Sequence, residues 1–320
     1  MGENLPKKVR DALRAVHFYF VQDLTMDTIA REMHTSRSTV SRLLSYARET
    51  GLVEITIHSP LDTSSHVQQQ IQDRYGITAH IIPLTDQTSD VDRLERVCMS
   101  AARLLNDFID SGMTVGIAWG STLTAVSRHL VPHRLHDVVF VQMNGAGNDH
   151  TTGIVYASEI LRRFADAFGG VSQQFPVPAF FDEAATKSAM WKEHSTQRIL
   201  NIQRRMDVAV FGIGSPAAVV PGHVYVGGYL TRADHASLSA EGAVGDVATI
   251  FYREDGTYRD IPINARATGP DFAMLRRVPR RIGIVAGLSR LSSLHGALAA
   301  GLITDLVIDE GTAHALIRGA

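Results

Sequence analysis

The 320-residue sequence predicts an α/β fold in which an N-terminal winged helix-turn-helix precedes a Rossmann-like domain. Residues 24–57 contain two capped helical patterns followed by a β-branched run that would form the wing. After Gly76 the chain alternates between short strands that are apolar throughout and amphipathic helices. Such alternation is typical of a parallel sheet with helices on both faces. We therefore expect a helix-turn-helix domain at 1–60, a linker helix at 61–76 and an α/β domain at 77–320.

The first helical patterns follow one another in the order that a helix-turn-helix requires. Residues 7–22 form a supporting helix with an apolar stripe on one face. That stripe consists of Val9, Leu13, Val16, Phe20 and Val21. In the next helix Ile29 and Ala30 face inward, and the small Ala30 lets the following helix approach closely. His34 then occupies the turn, where a left-handed conformation is needed that His adopts more often than most residues.

The helical pattern at residues 36–50 has an apolar inner face and a polar outer face. Val40, Leu43 and Leu44 recur at helical intervals inside, and Thr35 and Ser36 can cap the start. Short hydroxyls and guanidiniums lie outside, as in a helix that reads the major groove. The predicted DNA-binding residues are Ser36, Arg37, Ser38, Ser41, Arg42 and Arg48.

The N-terminal part of such a helix reaches the bases. We therefore expect Arg37, Ser38 and Ser41 to face bases and Arg42 and Arg48 to face phosphates. The alternative is a solvated helix pair in an all-α bundle. The β-branched run that follows Gly51 argues against a bundle and favours a wing; its residues are Val53, Ile55 and Ile57.

The composition excludes several classes of protein. A net charge of −2 argues against a protein that coats nucleic acid without specificity, so several recognition helices are expected to act together. The single cysteine, Cys98, excludes an intrachain disulfide framework and a cysteine zinc cluster, and its helical pattern predicts a core position. No apolar run approaches the length of a membrane span, and the N-terminus lacks a signal-peptide core, so we expect a cytoplasmic protein.

The linker helix 61–76 has too narrow an apolar stripe to be stable alone, and it must pack on its neighbouring domain or on a partner chain. Beyond it the strand candidates are Thr78–Ile82, Thr114–Ala118, Val138–Met143, Val208–Ile213, Ala248–Tyr252, Arg281–Val285 and Asp305–Ile308. The helix candidates are 89–110, 121–130, 151–168, 183–200, 290–300 and 311–318.

In an open α/β sheet, ligands bind at the carboxyl ends of the strands. Gly120, Ser121 and Thr122 follow one predicted strand and begin a helix, where free N–H groups, the helix dipole and two hydroxyls would bind an anion such as phosphate. The alternative is an N-cap without a ligand, and the local sequence leaves both open. Asn144 and Gly145 follow the next strand in a loop that is either a plain turn or part of the same site.

Two further strand ends carry charged residues. Asp246 lies among glycines before a predicted strand, where it either accepts hydrogen bonds from sugar hydroxyls or serves as a turn residue. Arg290 begins a helix, a position that the helix dipole disfavours, so a bound anion is a reasonable partner. Asp309 is expected to cap the last helix rather than contact a ligand.

The sequence contains no recognisable catalytic constellation. It has no nucleophile elbow, phosphate-binding Walker loop, zinc-protease motif or dinucleotide fingerprint, so we predict no catalytic residues, no metal and no cofactor. The 14 histidines are scattered, and surface or capping roles are expected for them. The alternative function is a sugar-phosphate isomerase or hydrolase with an accessory DNA-binding domain.

The chain resembles the SorC/DeoR-like family of sugar-responsive bacterial transcriptional regulators over residues 10–318. The matching segments are VGIAWGSTL (115–123), DVAVFGIGS (207–215), EGAVGDVATIFYREDG (241–256) and IVAGLSRLSSLHGALAAGLITDLVIDEGTA (284–313). The resemblance implies an effector domain related in fold to sugar-phosphate isomerases and deaminases, without their activity. It also implies a homotetramer, a dimer of dimers, that binds operator DNA and responds to a sugar, sugar phosphate or polyol of a catabolic operon.

By the same resemblance Ser121 and Thr122 match the phosphate-binding turn of the family, and Asp246 matches its acidic position. Two departures matter. Arg290 stands where the family usually has a lysine that contacts phosphate, and its bulkier fork implies a phosphate that is differently placed or absent. Asn144 stands where some relatives have a lysine that can form a Schiff base, so covalent capture of an aldehyde there is excluded.

Overall fold

The computed structural model describes residues 6–53 and 63–319. The chain divides into two compact units, Met1–Leu61 and Asp62–Ala320. Ile55 and Ile57 of the predicted wing lie outside the described residues. Within the described part of the chain, no helix combines the length and the apolar character that crossing a membrane requires.

The first unit is a small helical core. Its elements are α1 (Lys7–Val16), a π-helical turn (His17–Val21), α2 (Met26–Glu32) and α3 (Arg37–Glu49). The core consists of Ala12, Ala15, Ile29, Ala30, Val40, Leu43, Leu44 and Ala47. The inward positions predicted for α2 and α3 are thus confirmed.

The prediction of an apolar stripe on the first helix was wrong for three of its five residues, which are exposed. Leu13, Phe20 and Val21 are exposed, whereas Ala12 and Ala15 are fully buried. The small alanines allow α1 to lie close to α3, which larger side chains would prevent. The π turn contains an extra residue, with the Gln22 N–H bonded to the His17 carbonyl, and this rotates the following residues away from the core.

The turn between α2 and α3 has the predicted geometry. His34 is left-handed, with φ +50°, and the Thr35 N–H bonds the Ala30 carbonyl at 2.8 Å. This is the hydrogen bond that closes a Schellman turn. Ser36 rather than Thr35 caps α3, accepting from the Thr39 N–H at 3.2 Å.

The linker helix α4 (Thr63–Tyr75) belongs to the second unit. Val67 and Ile71 are buried in the core of that unit, and the Arg74 guanidinium donates to the Ile317 carbonyl. Packing on its neighbouring domain, one of the two predicted alternatives, is therefore confirmed.

The second unit contains a seven-stranded parallel sheet in the order β1-β9-β8-β5-β2-β3-β4. Its strands are β1 (Thr78–Ile82), β2 (Thr114–Ile117), β3 (Val139–Gln142), β4 (Val171–Gln173), β5 (Val208–Gly212), β8 (Arg280–Val285) and β9 (Asp305–Asp309); β6 (Gly245–Val247) and β7 (Ile250–Tyr252) form a separate antiparallel hairpin. The helices are α5 (Asp90–Phe108), α6 (Ser121–Arg128), α7 (Ile154–Phe168), α8 (Ala184–Met190), α9 (His194–Gln203), α10 (His223–Val226), α11 (Arg232–Ala240), α12 (Phe272–Leu275), α13 (Leu291–Ala299) and α14 (Glu310–Arg318). Helices cover both faces of the sheet with two buried clusters, and Cys98 of α5 lies in one of them, as predicted.

The largest correction to the predicted elements is at Ala248–Tyr252, which is not a strand of the parallel sheet. Ala248 and Thr249 have φ values of +48° and +69°, so they form a two-residue turn between β6 and β7. Such turns match the twist of an antiparallel hairpin. Asp246 accordingly lies within a strand rather than before one.

Candidate functional site

Neighbouring strands bring the predicted residues together. In the sheet β8, β5, β2 and β3 are adjacent and parallel, so the segments that follow them meet at one edge. Arg290 follows β8, Gly214 follows β5, Gly120 follows β2 and Asn144 follows β3. The hairpin adds Asp246, because its backbone exchanges hydrogen bonds with that of Gly214 at 2.9 and 3.3 Å.

The N-terminus of α6 presents free donors. Gly120, with φ +151°, occupies the N-cap, and no side chain caps the helix. The first backbone N–H bonded within α6 is that of Thr124, to the Gly120 carbonyl at 2.9 Å. The N–H groups of Ser121 and Thr122 have no acceptor in the described part of the chain. With the helix dipole, they form an anion-binding position.

Arg290 supplies a buried positive charge. Its guanidinium donates to the carbonyls of Ala286 at 2.9 Å and Val220 at 2.6 Å. No carboxylate of the described residues lies within ion-pair distance of it. Burial lowers the pKa of Arg290, and the charge of Asp90 offsets this in part. The site therefore holds a cation that only neutral carbonyls and a distant acid compensate.

Asp246 is a buried carboxyl of the same site. One of its oxygens accepts the Thr249 N–H at 3.1 Å. Burial raises the pKa of Asp246 to about 6, and the neighbouring Tyr225 phenol opposes that rise. A Cβ at position 214 would lie 1.9 Å from this carboxyl, so the close approach requires Gly214.

Asn144 has unused hydrogen-bonding capacity. Its side chain is 1% exposed, and neither its amide oxygen nor its amide nitrogen has a partner within the described residues. Its backbone carbonyl is already engaged by Gln142 and Trp119. Buried polar groups are nearly always paired in native proteins, so this amide indicates a missing ligand.

These residues line one narrow cavity of about 50 Å³. Six of the seven predicted effector-binding residues are part of its wall: Gly120, Ser121, Thr122, Asn144, Asp246 and Arg290. The exception is Gly145. Its N–H bonds the Thr268 hydroxyl, and a Cβ there would lie 2.2 Å from the Pro178 carbonyl oxygen, so its role is close packing.

The sequence reasoning missed the residues that cover the cavity. Gly222, His223 and Val224 line it from a segment that has neither a long helix nor a strand. His223, for which a surface or capping role was expected, packs on Tyr156 with ring centroids 4.8 Å apart. Burial lowers the pKa of this histidine. No local pattern marks such a covering loop.

A larger groove of about 450 Å³ lies on the other side of the loop that follows β3. Its wall includes Phe175, Phe181, Asp149 and Asp182, but no lysine, arginine or histidine. It therefore lacks the anion-binding groups that the smaller cavity combines. Among the described residues, no cluster of three or more metal-ligating side chains occurs.

The candidate nucleic-acid surface is the outer face of α3. Arg37, Ser38, Ser41, Arg42 and Arg48 are all exposed. Ser36 is exposed as well, but its hydroxyl caps α3 and shares hydrogen bonds with Ser38 and Thr39. The structure thus gives Ser36 a capping role, and its contribution to DNA contact would be secondary.

Family models match both parts of the chain. The "Sugar-bind" model of a sugar-binding domain matches residues 59–318. The model of region 4 of sigma-70 matches residues 3–50.

Relatives match the chain over nearly its whole length. The deoxyribonucleoside regulator of Bacillus subtilis is 30% identical and covers 98% of both chains. The sorbitol operon regulator of Klebsiella pneumoniae is 26% identical over 97% of this chain and 98% of its own.

Solved structures agree with these matches. The full-length sorbitol operon regulator SorC from Klebsiella pneumoniae superposes with a TM-score of 0.71, at 25% identity, over 98% of this chain and all of that chain. A domain described as belonging to a possible sugar-binding transcriptional regulator from Arthrobacter aurescens gives a TM-score of 0.75 at 51% identity; it covers 81% of this chain and all of its own.

Proposed function

The chain belongs to the SorC/DeoR-type family of sugar-responsive, DNA-binding transcriptional regulators, and from that premise we propose where it binds its effector and its operator. The effector is a sugar, sugar phosphate or polyol, and it binds in the cavity at the carboxyl ends of β2, β3, β5 and β8. The observation that carries this proposal is the buried Asn144 amide without a partner among the described residues, which lines the same cavity as a buried guanidinium and an uncapped helix N-terminus.

The polar groups of the cavity divide into two sets with different chemistry. The N–H groups and hydroxyls of Ser121 and Thr122, together with Arg290, would bind an anionic group of the effector. The Asn144 amide and the Asp246 carboxyl would bind its hydroxyl groups, because between them they offer both donors and acceptors. An effector with both kinds of group satisfies every one of these residues.

The operator-binding surface is proposed to be the outer face of α3. Arg37, Ser38 and Ser41 would contact base edges, while Arg42 and Arg48 would contact phosphates. Because the chain is nearly neutral, operator binding would require several such recognition helices, as in a homotetramer. Binding of the effector would then shift the population between two arrangements that differ in operator affinity.

We also propose that the cavity binds its ligand without turnover. Two relatives that match the chain over nearly its full length bear the names of regulators. A turnover assay on pentose and hexose phosphates tests this point directly. Conversion of any of them would establish the alternative, an isomerase or hydrolase with an accessory DNA-binding domain.

The function is tested by fluorescence anisotropy on DNA from upstream of the operon that encodes the chain, with and without candidate sugars. The double variant Ser121→Ala/Thr122→Ala should lose its response to the effector, since a hydrogen bond to a charged group contributes about 1.5–3 kcal/mol. Its operator affinity in the absence of effector should stay close to that of the wild type.

The matched control is Ser237→Ala/Ser239→Ala, which removes two exposed hydroxyls from α11 outside the cavity. This control should respond normally. A normal response of the Ser121→Ala/Thr122→Ala variant would show that the effector binds elsewhere. Absence of operator binding by the wild-type chain across the whole region would reject the proposal on DNA.

A further inference from the structure

The proposed effector cavity is narrow. Its volume is about 50 Å³, whereas pockets for small ligands are roughly 300–1,000 Å³. A space of this size is too small for a sugar. Entry of any effector therefore requires a part of the wall to move.

The segment that reaches the wall at Gly222 is residues 215–222, here called the cover segment. The turn after β8 holds it with three hydrogen bonds. The Ser215 hydroxyl donates to the Ser289 carbonyl at 3.3 Å, and the Val219 N–H donates to the Ser289 hydroxyl at 3.3 Å. Arg290 donates to the Val220 carbonyl at 2.6 Å. Val219 is 68% exposed and Val220 is half-buried against the core, so these bonds and limited packing hold the segment.

The chain just after the cover segment is anchored more firmly. The Tyr229 ring lies 4.8 Å from that of Trp119, and its hydroxyl donates to the Ala146 carbonyl at 3.0 Å. The Asn148 amide donates to the Gly227 carbonyl at 2.7 Å. Val224 is buried in the core and His223 packs on Trp119 and Tyr156, so the fixed chain begins after Gly222. The cover segment can therefore pivot at Gly222 when its bonds to Ser289 and Arg290 break.

Arg290 connects the cover segment to the ligand chemistry. The guanidinium that the proposed function assigns to an anion now donates to the uncharged Val220 carbonyl. An anion brings an opposite charge and can accept two parallel N–H bonds from the guanidinium, so it can compete with a single carbonyl for this donor. A neutral polyol offers no such advantage.

We infer that the Val220 carbonyl occupies the place of the effector's anionic group, and that residues 215–222 form a lid which must release Arg290 before the effector binds. This inference rests on the proposed effector site. Because a closed lid lowers the apparent affinity by the fraction of molecules that are open, loosening the lid without touching the cavity should strengthen binding.

The two tryptophans provide a way to test this. Trp119 contacts the cavity and Tyr229, whereas Trp191 lies in another part of the second unit against Phe175 and Phe181. In a full-length Trp191→Phe chain, Trp119 emission reports on the lid. Stopped-flow mixing with inorganic phosphate should give an observed rate that reaches a ceiling set by lid opening.

Ser289→Ala in that background removes the acceptor of the Val219 N–H but no residue of the cavity wall. One hydrogen bond is worth about 0.5–1.5 kcal/mol, so the ceiling and the phosphate affinity should both rise about 2–10-fold. Ser292→Ala, an exposed serine of α13, is the matched control and should leave both values unchanged. Sorbitol, a neutral polyol, should bind more weakly than phosphate.

The outcomes separate the lid from the site. A rate that rises linearly with phosphate, or a Ser289→Ala variant identical to Ser292→Ala, overturns the lid while leaving the site intact. Trp119 emission that stays unchanged on addition of phosphate, both in the Trp191→Phe chain and in its Ser289→Ala variant, also overturns the lid, because a loosened lid must admit phosphate. If the signal persists in Ser121→Ala/Thr122→Ala, the ligand binds elsewhere and the proposed site fails instead.

Discussion

The guanidinium of Arg93 lies 2.7 Å from Oδ1 of Asp309, and it joins α5 to the end of β9. The other carboxylate oxygen accepts the Gly287 N–H at 2.9 Å and the Thr312 hydroxyl at 2.7 Å. Asp309 also caps α14 through the Thr312 N–H, as the sequence predicts. One buried ion pair thus fixes the turn from which Arg290 enters the effector cavity.

Arg93→Ala should destabilise the second unit strongly. The Asp309 side chain is fully buried and that of Arg93 is 12% exposed, so the variant leaves a buried charge without its partner. Breaking such a pair costs about 3–5 kcal/mol. The free energy of unfolding in urea measures the loss. Arg103→Ala, an exposed arginine of the same helix, is the control, and an equal loss in both variants would contradict the role of the pair.

Asn144→Leu should separate stability from binding. The unliganded protein should be as stable as the wild type or more stable, because two unpaired buried polar atoms, each costing about 1–3 kcal/mol, are removed without a large change of shape. Effector binding should weaken, since the ligand loses a donor and an acceptor. Urea unfolding without ligand and an effector titration measure the two effects. A destabilised variant with unchanged effector affinity would indicate a structural role.

Asp246→Asn should stabilise the protein in a pH-dependent way. The pKa of Asp246 is about 6 in the folded chain, against an ordinary value of 3.8. Below about pH 4 the carboxyl is protonated in both states, so its burial costs no charge. Between about pH 4 and pH 6 the unfolded state loses its proton first, and stability falls. Above that window the difference reaches about 3 kcal/mol.

The neutral amide avoids this penalty while its oxygen can still accept the Thr249 N–H. The gain from Asp246→Asn should therefore be about 3 kcal/mol at about pH 7 and nearly vanish at about pH 4. Urea unfolding at both pH values measures it. Asp149→Asn, an exposed carboxyl, should show no such difference. A gain that is equal at both pH values would mean that the charge of Asp246 is not the cause.

Much of the site could be predicted because strand order decides which loops meet. Ser121 and Arg290 lie in the segments that follow β2 and β8, and the carboxyl ends of adjacent parallel strands share one edge. Gly145 also follows a strand, but the tertiary contact with Pro178 determines its environment. Position along the chain predicts proximity to the edge and not the direction in which a residue faces.

The rest of the architecture depends on features that leave no regular spacing of apolar residues in the sequence. His223 reaches the cavity from a loop, and the positive φ values of Ala248 and Thr249 turn one predicted strand into a hairpin. In the first unit, the π turn after Val16 rotates Phe20 outward although its spacing fits a helical stripe. Backbone geometry overrides side-chain spacing in each of these places.

The two classes of arginine on α3 should have different effects on DNA binding. Arg37 is 68% exposed, and its nearest acid, Asp27, is equally exposed at 3.9 Å, so the side chain is free to reach a base. Arg37→Ala should reduce discrimination between the operator and mutated operators by about 1–3 kcal/mol. Anisotropy titrations against operators with single base changes measure this. Equal weakening on every sequence would show that Arg37 contacts only phosphates.

Arg48→Ala should instead weaken binding to all sequences alike. Arg48 lies in the last turn of α3, away from the end that reaches bases, and its guanidinium contacts only the Ser45 hydroxyl, at 3.5 Å, among the described residues. Without this phosphate contact, DNA binding releases about one counterion fewer. The slope of log affinity against log salt concentration should therefore fall in magnitude by about one. Arg103→Ala, which lies in the second unit, should leave the slope unchanged. A changed sequence preference with an unchanged slope would place Arg48 at a base.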